Sequence, residues 1–470
     1  MDMGCHPASR KGSRAGMPQT KRAGPRSPAS GSVGSHAMLR RNKTKYKATF
    51  FGHFGAANFG NEATLIAMLR NIRRLIPSAE LECITTWPMG VTRDYGLAAI
   101  PVSDVVVKQW SFSNPLAKLC RKAFVGVPSE IYRWLKATRS LRDTEFFIVV
   151  GTGLLTDAFR LGGWGPYSVF KWTVAAKLAK CKVCFVSVGA GPLERPIGRF
   201  LIKFSLSLAD FCSFRDQATL EYMRSIGLRR EADRVFPDLA FSLPSDVLPQ
   251  ARPPRNGHPI VGLGLMTFDG MYGVEKTTRG HYNAYLETLV DFVKWLLGHG
   301  YDIRLLIGDL SDEPTITAFK SLLKKQPIAA ERVIAEPVTS TDNLLSQIAA
   351  TDFVVATRFH NVLLSLLLNK PTISMSFHHK CSSLMSQMGL SDYCQDIQKL
   401  NGEKLVEQFC QLEKNAAILK QTIAAKAAEF RTALDEQYSL FLNVPCPTSA
   451  EPSRSAGREL ASTMPGRERP

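Results

Sequence analysis

No stretch of about 18 consecutive apolar residues, the least that spans a bilayer as a helix, occurs in the 470-residue chain. The run Val362–Leu368 is too short and is broken by Ser365. The N-terminus lacks the apolar core of a signal peptide. Cysteine is sparse, with ten residues in no framework. Cys83, Cys184 and Cys212 fall in apolar, strand-like runs where a thiol packs as a small hydrophobe. Cys181 and Cys184 form a C-x-x-C, but no second pair stands at zinc-ligand spacing, so core packing is the reading there. These absences exclude a bilayer-embedded protein, a disulfide scaffold and a zinc-held fold. A reducing cytoplasm is the expected compartment, with the inner face of the membrane as an alternative station.

Hydrophobic residues make up 45% of the chain and charged ones 21%, which is the composition of a globular protein with a sizeable core. The length fits two domains with disordered ends. The formal charge is +18, but its distribution is lopsided: residues 1–47 carry eleven Lys or Arg against Asp2, which accounts for +10, and the tail from Cys446 accounts for +1. The remaining +7 on about 400 residues suits anionic substrates or a membrane surface, and nucleic acid is not an expected partner. The Ser, Gly, Pro and Arg content of residues 1–44 reads as a disordered basic extension, with Met38 as an alternative start.

From Lys47 onward, short β-branched or aromatic runs alternate with helical patterns, which predicts parallel sheets built from βαβ units. Strands are expected at Lys47–Gly52, Leu81–Thr86, Phe146–Val150, Lys182–Val188 and Asp210–Phe214, and helices at Asn61–Ile76, Tyr167–Ala179, Arg195–Leu208 and Gln217–Ile226. The prolines and turn formers of residues 244–258 stop this alternation and predict a linker. The pattern then restarts, with strands that include Tyr301–Gly308, Asp352–Ala356 and Thr372–Met375. The expected organisation is therefore an N-terminal Rossmann-like domain over 45–243 and a second over 259–400. C-terminal helical structure over 401–443 and a disordered tail over 444–470 complete it. Ligands of such a fold sit where the carboxyl ends of both sheets face each other across a cleft.

Candidate site residues cluster on the strand-to-helix loops. Gly55, Asn58, Gly60 and Asn61 lie in the first, where backbone N–H groups and a helix N-terminus can receive an anion; a tight turn capped by Asn61 is the plainer account. The spacing is not Gly-x-Gly-x-x-Gly, so a nicotinamide cofactor is not favoured. Gly151 and Gly153 follow a buried strand, and Gly189 and Gly191 follow the next, so that three glycine loops line one sheet edge. Arg215-Asp216 leaves the strand ending at Phe214 and is either a helix cap with its ion pair or a fork facing the cleft. Thr357-Arg358-Phe359-His360 leaves another buried strand. There Arg358 offers a fixed charge and His360 a group able to move a proton near neutral pH, and a structural histidine is an equal alternative. His378, His379 and Lys380 put further basic groups on that edge. The stretch Trp110–Arg142 either contacts a lipid-linked glycan or membrane surface, or packs as an ordinary helix.

Taken together, five blocks resemble the polysaccharide pyruvyl transferase family: Gly-x-x-Asn-x-Gly-Asn-Glu-Ala at 55–63, Gly151–Asp157, Gly189–Leu193, Arg215-Asp216 with Ile226-Gly227, and Arg358-x-His360 with Lys380. The family usually has Asp where Asn61 stands, and Gly151-Thr152-Gly153 departs from its pattern. The resemblance implies a fold like the two-domain GT-B glycosyltransferases, with no metal and no cofactor. It also implies transfer of pyruvyl from phosphoenolpyruvate to a glycan or lipid-linked oligosaccharide as a cyclic ketal. Arg215 and Arg358 would then hold the donor and His360 would supply a proton, with Lys380 and the glycine loops as further binding groups. The alternatives are a nucleotide-sugar glycosyltransferase and an inactive glycan-binding relative.

Overall fold

A computed structural model describes residues 46–103, 114, 121–157, 165–230, 233–250, 257–267, 279–376 and 379–444. The expectations for residues 1–44, for His378, for Trp110 and for the tail beyond 444 lie outside the described residues, as does part of the linker.

The strands of the N-terminal half are β1 (Lys47–Phe51), β2 (Glu80–Thr85), β3 (Ala98–Pro101), β4 (Phe146–Val150), β5 (Lys182–Val188), β6 (Phe211–Phe214) and β7 (Arg234–Val235). The helices between them are α1 (Phe59–Leu75), α2 (Pro88–Tyr95), α3 (Val127–Ser140), α4 (Pro166–Leu178), α5 (Pro196–Ser207) and α6 (Gln217–Ser225). These strands form one parallel sheet in the order β3-β2-β1-β4-β5-β6-β7. Every residue of β4, Phe-Phe-Ile-Val-Val, is buried, because helices cover both faces of a parallel sheet and leave its central strands no polar side.

The second half repeats the winding. Its elements are β8 (Ile260–Gly264), α7 (Arg279–Gly298), β9 (Asp302–Leu306), α8 (Glu313–Leu323), β10 (Val333–Ile334), α9 (Thr341–Ala349), β11 (Phe353–Ala356), α10 (Phe359–Leu367), β12 (Thr372–Ser376), α11 (His379–Gln387) and β13 (Cys394–Asp396). The parallel order is β10-β9-β8-β11-β12-β13. In each sheet the strand order reverses between the first strand and its later neighbour, β1 beside β4 and β8 beside β11. Loops diverge at such a reversal and open a crevice at the carboxyl ends of the strands.

Two local differences from the sequence-based expectation have physical causes. The segment after β2 forms α2 and β3, which propensity did not reveal because Pro88 and Gly96 read as loop. Pro88 instead occupies the first helical turn, and Gly96, at φ +63°, ends the helix in the left-handed conformation. The cap of α1 is Asn58, whose side chain accepts from the Asn61 N–H at 3.1 Å, while Asn61 donates to the His53 carbonyl at 3.2 Å. The helical structure expected over 401–443 is two helices, α12 (Gly402–Lys414) and α13 (Ala416–Leu442), which meet at Asn415.

Helix α13 packs back onto the N-terminal domain. Gln437 donates to Ser213 Oγ at 2.8 Å and accepts from Ser187 Oγ at 3.0 Å. Ser187 stands at φ +48° where the β5–β6 register shifts, so the buried amide of Gln437 satisfies polar groups exposed by the irregular strand. The Phe241 and Phe430 rings meet edge to face at 5.0 Å. One apolar cluster consequently runs from β1 through both domains to Leu442, and a second fills the other face of the first sheet.

Candidate active site

The first loop couples the two domains. After β1 the chain turns through Gly55, whose φ is +78°; a Cβ there would lie 2.6 Å from the Trp87 carbonyl and 2.9 Å from the Val91 nitrogen. Gly55 therefore admits α2 into close packing. Its N–H donates to Glu62 at 2.7 Å, and the Tyr95 hydroxyl donates to the other Glu62 oxygen at 2.7 Å. Burial pushes the Glu62 carboxyl up to about 6 in spite of these bonds. Beyond the loop, Asn58 Nδ2 donates to Asp309 at 2.7 Å, Phe59 N–H to the Gly308 carbonyl at 3.2 Å, and Leu310 N–H to the Ala57 carbonyl at 3.3 Å. The Thr341 hydroxyl donates to the Phe59 carbonyl at 3.2 Å. The start of α1 is thereby fastened to the β9 loop and to α9 of the second domain.

Three basic side chains each rest on a glycine of a different N-terminal loop. His360, in the first turn of α10, lies flat against Gly60, where a Cβ would stand 1.7 Å from the imidazole Cγ. Lys380, at the start of α11, brings its Nζ to 3.0 Å from where a Cβ of Gly153 would be. Arg215, leaving β6, lays its guanidinium on Gly189, whose Cβ would meet Nη2 at 2.5 Å. Only glycine leaves room for these approaches. The remaining glycines make room for nearby backbone or a neighbouring side chain. Gly151 backs onto the Val186 and Ser187 carbonyls, and Gly191 backs onto Thr156.

Arg215 is 5% exposed. Nη1 donates to Asp238 at 3.0 Å, and Asp216 approaches Nε only to 3.9 Å. The guanidinium plane stacks over the Phe359 ring with Cζ 4.7 Å from its centroid. Nε and Nη2 are buried and reach no hydrogen-bond acceptor among the described residues. Asp216, meanwhile, caps α6 by accepting from Thr219 N–H at 2.6 Å. The two sequence readings of Arg215-Asp216 thus divide between the residues: the aspartate caps and the arginine faces inward.

Arg358 is held otherwise. Nε donates to Asp312 Oδ2 at 2.8 Å and Nη2 to Asp312 Oδ1 at 2.6 Å, a bidentate pair, and Nη2 approaches the Ser311 hydroxyl at 3.4 Å. Asp312 is fully buried and also accepts from Thr267 N–H at 2.9 Å. Thr357 is buried under the site, its hydroxyl 3.0 Å from that of Tyr285.

Positive charge is crowded here. Burial, with Arg215, Lys380 and Arg358 nearby, lowers His360 to about 4, although Asp238 opposes the shift. Burial, then Arg215, lowers Lys380 to about 7. His379 is lowered too, chiefly by burial. Near neutral pH His360 is therefore uncharged and Lys380 is only partly charged, and an anion entering the group would raise both. A small cavity is lined by Arg215, Asp216, Asp238, Phe359, Lys380 and Gln387, among others.

The sequence reading brought out the basic groups but missed the acids of the site: Asp238 and Asp312, which hold arginines, and Asp309, which holds Asn58. Pro237-Asp238 and Asp309-Leu310-Ser311-Asp312 look like turn caps. They do cap: Asp238 accepts from Ala240 N–H at 3.0 Å and Asp309 from Ser311 N–H at 2.9 Å. Their second partners belong to distant parts of the chain, and no spacing signals that.

Residues 58–379, more than half of the chain, match the model of a family described as polysaccharide pyruvyl transferase. A curated relative, the amylovoran biosynthesis protein AmsJ of Erwinia amylovora, is 21% identical over 424 residues, covering 82% of this chain and 96% of that protein. Among solved structures, the UDP-GlcNAc 2-epimerase of Neisseria meningitidis bound to UDP-GlcNAc is similar with a TM-score of 0.52 at 9% identity, covering 85% of this chain and 100% of that one. MnaA of S. aureus in complex with UDP gives 0.51 at 11% identity, covering 85% and 99%. These likenesses establish the two-domain, GT-B-like α/β architecture.

Proposed function

Because the chain belongs to the polysaccharide pyruvyl transferase family, we propose that it moves the pyruvyl group of phosphoenolpyruvate onto two hydroxyls of one sugar as a cyclic ketal. The acceptor sugar would belong to a polysaccharide or its lipid-linked precursor. The observation that carries this reading is the Arg215 fork. Two buried donors without an acceptor among the described residues, flanked by Lys380 and His360, form a site whose electrostatics call for a compact, multiply charged anion. Phosphoenolpyruvate carries a phosphate and a carboxylate, and Arg215 and Lys380 would hold one of them. Arg358 would meet the other from the far wall, oriented by Asp312.

The chemistry follows from charge. Free His360 is neutral, and the donor's negative charge raises its basicity so that it gains a proton as the donor binds. The imidazolium then protonates the methylene carbon, and a sugar hydroxyl attacks the adjacent carbon and gives up its own proton. A second hydroxyl of that sugar displaces phosphate and closes the ketal. Of the two hydroxyl protons, one replaces that spent on the methyl group and one leaves with phosphate. His360→Ala should lower turnover by ~10²- to 10⁴-fold while donor binding persists.

The deciding experiment incubates the protein with phosphoenolpyruvate and candidate sugars and follows phosphate release together with the mass of the glycan. Phosphate release matched by a gain of pyruvyl mass supports the proposal; full turnover by His360→Ala would sink the role of the histidine. The rival is transfer from a nucleotide sugar. It has in its favour a cavity at the β9 and β10 edge, lined by Leu305, Ile307, Ile316, Glu336 and Val338 among others. Glycosyl transfer from a nucleotide sugar without phosphoenolpyruvate would promote it.

A further inference from the structure

Helix α3 is amphipathic in the inverted sense. Its packed side is polar: Arg133 and Glu130 pair at 2.7 Å, the Tyr167 hydroxyl donates to Glu130 at 2.7 Å, and Trp134 Nε1 donates to the Tyr167 oxygen at 3.0 Å. Its outer side, with the turn before it, carries Phe124, Val127, Ile131 and Leu135, which are 79%, 56%, 55% and 50% exposed. Those positions are three, four and four residues apart and therefore form one stripe. Helix α5 repeats the pattern with Ile197, Phe200 and Phe204, 53%, 59% and 40% exposed. A run of ring contacts crosses α4 and joins the two stripes: Trp134 to Phe170 at 6.0 Å, Phe170 to Phe204 at 5.6 Å, and Phe204 to Phe200 at 6.0 Å. Soluble proteins rarely leave so continuous an apolar face in water.

The charge around it is predominantly positive, although Glu194 beside Arg195 is exposed and Asp210 pairs with Lys177. Residues 121–140, 165–178 and 195–207 hold ten Lys or Arg, and their single acid, Glu130, is paired with Arg133 and Tyr167. Lys122, Lys136, Arg139, Arg195 and Arg199 are exposed. We propose that this face of α3, α4 and α5 docks on a membrane surface rich in anionic phospholipid. The aromatic and aliphatic side chains would enter the headgroup boundary and the basic residues would meet lipid phosphates, the pairing by which interfacial helices bind. No helix among the described residues is long and apolar enough to cross a membrane, so this attachment is peripheral. The loops Gly151–Asp157 and Gly189–Leu193 lead toward α4 and α5 from the carboxyl edge of the sheet. Docking would therefore bring the cleft near the lipid, within reach of a lipid-linked sugar; that last clause rests on the proposed function, whereas the docking does not.

The test is flotation of the full-length protein with vesicles of phosphatidylglycerol and phosphatidylethanolamine, and separately with phosphatidylcholine alone. Wild type should float with the anionic vesicles and much less with the neutral ones. Ile131→Glu/Phe200→Glu should reduce partitioning by at least ~10-fold, since each change withdraws a large apolar side chain from the interface. Lys136→Glu/Arg139→Glu should erase the preference for anionic lipid. Phe124→Ser, at the most exposed position of the stripe, gives a second reading if the double variant does not fold. Failure of wild type to float overturns the proposal. So does equal flotation of the apolar variants, which would assign binding to the basic residues 1–47. A stable dimer that Ile131→Glu/Phe200→Glu dissociates overturns it as well, by assigning the face to a second copy. Phosphate release from phosphoenolpyruvate with a water-soluble acceptor should be the same in all variants, which separates this outcome from that of the catalytic reading.

Discussion

Arg215 leaves a strand of the first sheet and Arg358 leaves a strand of the second, and the two are held in opposite electrostatic states. Beside Arg215 the β5 loop contributes Gly189, which has no side chain to offer, and Asp238 takes one nitrogen only. Beside Arg358 the β9 loop contributes Asp312, which takes two. One guanidinium is buried with donors to spare; the other is fixed in direction by a buried carboxylate. The neighbouring loop, more than the residue, decides whether an arginine at a strand end keeps unpaired donors or is already held by a carboxylate. The same division runs through the site, where the first domain supplies glycine backbone and Arg215 and the second supplies His360 and Lys380.

The sharpest way to break this comparison is Arg215→Ala. Loss of two charge-assisted bonds to the donor, at about 1.5–3 kcal/mol each, should lower kcat/KM for phosphoenolpyruvate by ~10²- to 10⁴-fold, and Arg215→Lys should recover little of it because a point charge cannot replace a fork. An equally large effect of Arg358→Ala, measured in the same phosphate-release assay, would erase the distinction between the two arginines.

Gly60→Ala tests whether the first domain serves as a seat. The added methyl has no room beside the imidazole, so His360 must move, and kcat should fall by ~10²-fold with the circular dichroism spectrum unchanged. In a His360→Ala background the same change should add little.

Lys380 gives a pH signature. A lysine at about 7 in the free site and higher with an anion bound takes up a proton on binding. Donor affinity, measured by calorimetry, should therefore fall as pH rises past about 7, by up to ~10-fold per pH unit. Lys380→Arg, charged throughout, should flatten that limb. The smallest effect is expected from Asn58→Ala, which removes the cap of α1 and the bond to Asp309. About 1 kcal/mol of stability in denaturant unfolding is the expected loss, with kcat/KM lowered less than by any change within the cleft.

The alternation of buried strands and helices was legible because a parallel sheet covered on both faces demands runs such as Phe146–Val150. The loops were legible because glycine and basic residues recur where those runs end. What the glycines were for was not. In the chain Gly60, Gly153 and Gly189 look like Gly55, Gly151 and Gly191. Three of them receive a side chain from elsewhere and three make room for nearby backbone or side chains. Helix α2 escaped notice because its proline and glycine are loop formers except at the ends of a helix.

Local pattern by itself determined most of the strands and helices, the two-domain α/β class and the presence of Arg215, Arg358, His360 and Lys380 after buried strands, since periodicity and turn chemistry act over a few residues. The tertiary structure decided which carboxylate pairs with which arginine and which histidine loses its proton. It also decided that α13 returns to plug the irregularity at Ser187, and that the apolar side of α3 faces outward. Each of these depends on groups tens to hundreds of residues apart, whose contact is set by packing and desolvation, and neither quantity is written in spacing along the chain.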